Sequence, residues 1–177
     1  MSRIHCFPPV ATPDSKILIL GSMPSRESLA RQQYYAHPRN AFWPILCSLY
    51  SITATDYEDR SRQVADRGVA IWDVLRDCVR PGSLDSDIDE KTAATNDFRA
   101  FFGEHPKISR IFLNGAKAES IYLKRVLPTL DDRAAEIPRW RLPSTSPAHA
   151  GMNFEQKKAA WQTILKGDLV HCTTIVQ

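Results

Sequence analysis

A short apolar run, Ile17-Leu18-Ile19-Leu20, stops abruptly at Gly21-Ser22-Met23-Pro24 and constrains this chain more than any other stretch. Such a run is long enough for a buried strand and too short for most helices. Gly21 permits backbone angles that other residues resist, and Pro24 removes a donor, so the chain must turn there. In an α/β sheet, the space just past a strand's carboxyl end is where ligands usually sit. The connection that follows carries Tyr34-Tyr35, then His37-Pro38-Arg39-Asn40, then Phe42-Trp43. Aromatics, amides and a cation in one loop suit a flat, polar-edged ligand such as a nucleobase.

The rest of the chain alternates strand-like and helix-like segments. Residues 1–15, with Pro8, Pro9 and Pro13, form an extended lead-in, and Lys16–Leu20 is the first strand. A helix starts at or just after Asn40 and runs through Ile45, Leu46 and Leu49. Another spans Asp56–Arg67 and ends at Gly68, a usual helix stop. Val69–Trp72 reads as the second strand, running into Asp73 and a turn or helix. Arg80–Ser83 breaks the pattern, and Leu84–Glu90 is an acidic loop. Asn96 or Asp97 caps a helix through Phe98, Phe101 and Phe102. Ile108–Leu113 is the third strand, followed by a helix with Ala118, Ile121, Tyr122, Val126 and Leu127 on one face. Arg139–Leu142 is the fourth strand, and Asn153–Lys166 the last helix. Strands separated by helices in this way predict an α/β fold: a three-layer α/β/α sandwich around a largely parallel four-stranded sheet.

At 177 residues the chain suits one domain, 1–177. A net charge of +3 permits nucleic-acid binding without demonstrating it. Cys6, Cys47, Cys78 and Cys172 form no CxxC or CxxH pair, so reduced thiols are expected rather than a metal site. The first residues lack the apolar core of a signal peptide, and no run approaches the ~20 apolar residues that span a bilayer. A cytoplasmic protein is expected.

Three strands end in polar loops, GSMPS, NGAK and PSTSPAHAG. In a parallel sheet these ends share one edge and can line a single cleft, although Gly, Pro and Ser there also serve as plain turn chemistry. Together with YYAHPRNAFW, VAIWDVL and RPGSLD, these loops resemble the uracil-DNA glycosylase superfamily, most closely its hypoxanthine-DNA glycosylase branch. The likeness runs from about Lys16 to Trp161. It implies the superfamily's α/β/α sandwich, removal of a deaminated base from DNA, and no metal or organic cofactor. A monomer acting on DNA that contains a deaminated base is expected. The departures from the uracil enzymes are instructive. Their catalytic Asn or Asp of the first motif is here Met23, the glycine after the proline is Ser25, and the His opening the closing motif is Leu142. The uracil mechanism therefore does not carry over. In the hypoxanthine branch the essential asparagine is that of HPRN, here Asn40.

Hydrolysis of a nucleoside bond passes through an oxocarbenium-like state, for which glycosidases ordinarily use a carboxylate pair. No such pair is evident in the candidate cleft loops. An amide is not basic enough to deprotonate water, so Asn40 would act by position and dipole, holding water or bonding the departing base. Its bland alternative is an N-cap for the helix that follows. The resemblance makes Tyr35 the ring that stacks on the extruded base; otherwise it is a core aromatic. Gly21, Ser22, Met23 and Pro24 would lie along the base edge. Asn114 has the donor and acceptor to read hypoxanthine, or it shapes the turn after the third strand. Ser144, Thr145, Ser146, Pro147 and Ala148 resemble the loop that grips the DNA backbone, with Arg39, Lys117 and Arg141 as phosphate contacts or ordinary surface charges. His37, His149 and Ser83 receive no role. A glycosylase for uracil or an etheno base is one rival. The other is a non-catalytic nucleotide- or DNA-binding module, weakened by the absence of GxGxxG and GxxxxGK[ST].

Overall fold

The computed structural model describes residues 3–166; Cys172 and both ends of the predicted 1–177 domain lie outside the described residues. Four strands form a parallel sheet: β2 (Ile17–Gly21), β3 (Val69–Asp73), β6 (Arg110–Asn114) and β7 (Arg139–Leu142), in the order β3-β2-β6-β7. Every residue of β2 and β3 is buried. Successive strand side chains point to opposite faces, so burial of all of them means that both faces are covered. The covering helices are α1 (Arg26–Arg31), α2 (Phe42–Leu49), α3 (Tyr57–Asp66), α4 (Phe98–Glu104), α5 (Ala116–Ile121), α6 (Asp132–Ala135) and α7 (Phe154–Trp161). The predicted three-layer α/β/α architecture is the observed one. No helix among the described residues is long and apolar enough to cross a membrane.

The helices end where local chemistry dictates. The Asp56 side chain accepts from the Asp59 amide at 2.8 Å to start α3, and Gly68 (φ 79°) follows its end. Asn153 and Gln156 exchange hydrogen bonds of 2.9 Å at the start of α7. Aromatics dominate the packing. Phe42 of α2 meets Trp161 of α7 edge-on at 5.8 Å, and Trp72 lies against Phe98 and Phe101 of α4.

Three expectations are corrected. The lead-in is more than extended chain, because β1 (Arg3–His5) pairs with β4 (Leu75–Val79). β4 occupies the place predicted for a turn or helix after Asp73. The acidic loop stops early: after a 3-10 turn at Asp85–Asp87, β5 (Asp89–Thr95) pairs with β4. A second, antiparallel sheet of order β1-β4-β5 results. Its central strand buries Asp77, held by Arg3 and by the Arg76 Nε at 2.8 Å, which breaks the apolar alternation that announces a strand. The unpredicted α1 is short and capped by Ser25, whose Oγ accepts from the Ser28 amide at 3.1 Å.

Register fixes the site. Gly21 aligns with Asp73, Leu20 with Leu113, and Asn114 with Leu142, so Asp73, Gly21, Asn114 and Leu142 form one row at the carboxyl edge. From β2 the chain proceeds to β3 on one side, whereas from β6 it proceeds to β7 on the other. The crevice between two such diverging exits is the usual ligand position of an open α/β sheet.

Candidate active site

A cavity of about 360 Å³ opens at this crevice, a volume typical of small-molecule sites. Its wall combines the ends of β2, β3 and β6 with the Tyr35–Asn40 segment, the Ser83–Ser86 loop and the Ser144–His149 loop. The three predicted polar loops do converge. The turn after β3 pins the first of them: the Val74 and Leu75 amides donate to the carbonyls of Gly21 and Ser22 at 2.8 and 3.1 Å.

Asn40 lies on the cavity wall and serves the helix as well. Its Oδ1 accepts from the Phe42 amide at 3.0 Å, within the first turn of α2. That bond fixes which end of the amide is oxygen, since only the oxygen accepts. Nδ2 donates to no protein group among the described residues. The neighbouring Ala41 amide donates to the Thr145 carbonyl at 3.0 Å, joining the Asn40 segment to the closing loop.

Tyr35 adopts φ 54°, an uncommon conformation for a bulky residue. Its ring stacks on Phe42 with centroids 3.7 Å apart and planes within 17°, so one face is supported by the core. Its hydroxyl is buried without a partner among the described residues, approaching the Asn114 amide but not closing a bond of ordinary geometry. Burial, then the nearby Asp73, push its pKa up. Tyr34 instead points into the protein, donating to the carbonyls of Phe7 and Pro8.

Gly21 is required by crowding: a Cβ there would collide with the Asp73 carboxyl and lie 2.8 Å from the Tyr35 hydroxyl. Ser22 Oγ donates to Asp85 Oδ1 at 2.6 Å. Met23 is buried in the wall, and the Pro24 carbonyl accepts from Arg80 at 2.5 Å. Asn114 spends its amide on Thr145, donating to Oγ1 at 2.9 Å and accepting from the backbone N–H at 3.0 Å. Of its two predicted roles, shaping the turn is the one its contacts display. Ser144 and Ser146 hydroxyls accept from the amides of Ser146 and Ala148 inside their own loop. Beneath it, the buried Lys157 Nζ reaches the Ser146 carbonyl at 3.2 Å.

The candidate phosphate cations stand apart from the cavity. Lys117 pairs with Glu90 at 2.5 Å and Arg141 with Glu119 at 2.9 Å, while Arg39 is exposed. Pro147 does not line the cavity, whereas Ala148, His149 and Ser83 do. His37 Nδ1 accepts from the Arg39 amide.

The three predicted loops hold no carboxylate pair, but two carboxyls reach the cavity from other segments. Asp73 and Asp85 both line the cavity. Asp73 ends the strand that was expected to run into a turn or helix rather than a polar loop, and Asp85 sits within the predicted acidic loop Leu84–Glu90. Burial, then the charge of Asp85, push the Asp73 pKa up to about 8 against the pull of Arg80. In the sequence this carboxyl is signalled only by its place at the end of an otherwise apolar strand.

Comparison with known proteins bears on this geometry. The family model of the uracil DNA glycosylase superfamily matches residues 8–166. A hypoxanthine DNA glycosylase from Methanosarcina acetivorans is 32% identical over 162 residues, covering 90% of this chain and 96% of that one. A second, from Methanosarcina barkeri, is 33% identical over 114 residues, 63% of this chain and 71% of the relative. The solution NMR structure of a Methanosarcina acetivorans protein assigned to the uracil DNA glycosylases superposes with a TM-score of 0.74 at 30% identity, covering 93% of this chain and 100% of that one.

Proposed function

The chain belongs to the uracil DNA glycosylase superfamily, and on that premise we propose that it hydrolyses the N-glycosidic bond of deoxyinosine in DNA. Hypoxanthine is released and an abasic site remains. The reading includes a monomeric, cytoplasmic enzyme acting on DNA with a deaminated base, using no metal or organic cofactor.

The observation that carries it is the state of Asn40. With Oδ1 engaged by the Phe42 amide, the side chain offers the cavity its Nδ2 protons. The target base must leave the duplex to reach the cavity. Tyr35, backed by Phe42, offers its other ring face as a shelf, and such stacking is worth ~1–3 kcal/mol per base. As the bond from N9 to C1′ breaks, its electron pair passes to the purine, where the Nδ2 donor of Asn40 meets the growing charge. Water adds to C1′, and one of its protons ends on the released base. Hypoxanthine leaves more readily than adenine because its lactam spreads this charge. Met23 and Leu142 are buried and bring no hydrogen-bonding side chain, which speaks against the uracil mechanism.

The test is release of hypoxanthine from an inosine-containing oligonucleotide without added metal. Removing a donor aimed at developing charge costs about 10²–10³ in rate, so Asn40→Ala is expected to slow release by that much while DNA binding persists. Unchanged turnover in that variant would remove Asn40 from the mechanism.

A further inference from the structure

The loop between β4 and β5 takes no part in the chemistry above, yet it is firmly braced. Arg80 donates to the Pro24 carbonyl at 2.5 Å. Arg26 donates to the Pro81 carbonyl, and its backbone amide reaches Ser83 Oγ at 3.4 Å. Ser22 Oγ donates to Asp85 at 2.6 Å. Within the loop, Asp87 Oδ2 accepts from the Leu84 amide at 3.2 Å and lies so close to Gly82 that a Cβ there would collide with it. Arg26 and Arg80 offset Asp85 and Asp87 in this brace, so it sets no net charge against a phosphate backbone.

The residue that the brace holds out is Leu84. It is 52% exposed and also lines the cavity, which places it on the rim. Of the exposed large apolar side chains among the described residues, Leu84, Leu123, Phe154 and Leu165, only Leu84 borders the cavity. A lone exposed leucine is ordinary. One fixed at the mouth of a base-sized cavity is placed to meet whatever surrounds the base. Across the mouth, the exposed residues of the closing loop are Ala148 and His149, a single methyl and a polar ring.

Extruding a paired base leaves a gap in the duplex, and pairing and stacking draw the base back. Apolar side chains that enter base steps fill such gaps. We propose that Leu84 is a positioning residue of this kind: once the purine is in the cavity, its side chain enters the vacated place in the stack and opposes return. The exposed leucine is then buried against bases, and paired DNA becomes the substrate class. This inference rests on the glycosylase reading above.

The experiment measures single-turnover release of hypoxanthine from a duplex with inosine opposite cytosine, from the same strand alone, and from a duplex whose opposing base is replaced by pyrene. A single strand has no gap to fill, and pyrene, as broad as a base pair, fills it from the other side. Leu84→Ala is expected to be about tenfold or more slower than wild type on the paired duplex and within about threefold of it on the other two. Leu84→Met, still long and apolar, should keep the duplex rate within about threefold. A 2-aminopurine beside the inosine brightens when its stacking is lost, and should do so with wild type but not with bound Leu84→Ala. Melting temperatures should match, since the side chain removed is exposed. Leu84→Ala that equals wild type on the paired duplex, in rate or in brightening, overturns the proposal. So does equal slowing on all three DNAs, which would place Leu84 in the cavity's own contacts, and so does a wild type active on the single strand only. A wild type releasing no hypoxanthine from any of the three overturns the glycosylase reading itself.

Discussion

Tyr35 shows how one position can combine core packing with the role proposed for it. Its positive φ is a local cost, of order 1–3 kcal/mol for a non-glycine residue, that the surrounding structure must sustain. In return the ring lies flat on Phe42 with its other face free of that partner. The hydroxyl has no hydrogen-bond partner among the described residues. Tyr35→Phe is expected to keep stability within about 1 kcal/mol of wild type, or raise it, since a buried unpaired group is removed. The rate of hypoxanthine release should stay near wild type, because the proposed contact with the base is made by the ring. Thermal melting and single-turnover kinetics check both; a large rate loss would assign the hydroxyl a contact with the base. The aromatic and amide character of this loop was legible because those residue types crowd a short stretch. The unpaired hydroxyl was not, because it depends on Gly21, Asp73 and Asn114 arriving from three different strands.

At the level of elements, legibility followed burial. Strands β2, β3 and β6 are apolar nearly throughout because the parallel sheet is covered on both faces, so their runs stood out in the chain. The antiparallel sheet was hidden by the same logic. β5 (DEKTAAT) is polar and partly exposed, and β4 buries the ion-paired Asp77 where an apolar residue is expected. Asp73 was hidden for a related reason, since its loop turns at once into β4 and carries no Gly, Pro or Ser. The junction of β2 with β3 is correspondingly tight. Gly21→Ala forces a methyl against the Asp73 carboxyl and the Tyr35 hydroxyl. Overpacking of this kind typically costs about 1–3 kcal/mol, so a lower melting temperature and at least a tenfold slower release are expected. A variant that melts and turns over like the wild type would show that the crowding is relieved by small shifts.

For the whole molecule, the raised pKa of Asp73 ties stability to pH. Its pKa lies at about 8 in the folded protein against an ordinary value of 3.8. Between these values the folded chain holds a proton that the unfolded chain has released, so this group's contribution to stability falls as pH rises across that window. The slope is about 1.4 kcal/mol per pH unit for one proton at most. It is fully favourable below the unfolded value and levels off above the folded one. Asp77, depressed by its bond with Arg76 and by Arg3, acts oppositely: its contribution is present above its unfolded pKa and lost as pH falls through the folded value. Asp73→Asn is therefore expected to melt higher than wild type at pH 8 and to lose that advantage toward pH 4, read from melting temperatures across the range. An advantage that did not change with pH would mean that Asp73 is charged in the folded protein.

The central claim is that a carboxamide, held by a helix it also helps to begin, presents a hydrogen-bond donor to the departing base. Asn40→Asp separates the two duties. A carboxylate still accepts from the Phe42 amide and sits well at a helix N-terminus, yet it has no proton to give. Measured together by thermal melting and single-turnover hypoxanthine release, this variant should be at least as stable as wild type and slower by about 10²-fold or more. An Asn40→Asp enzyme that releases hypoxanthine at the wild-type rate would contradict the account.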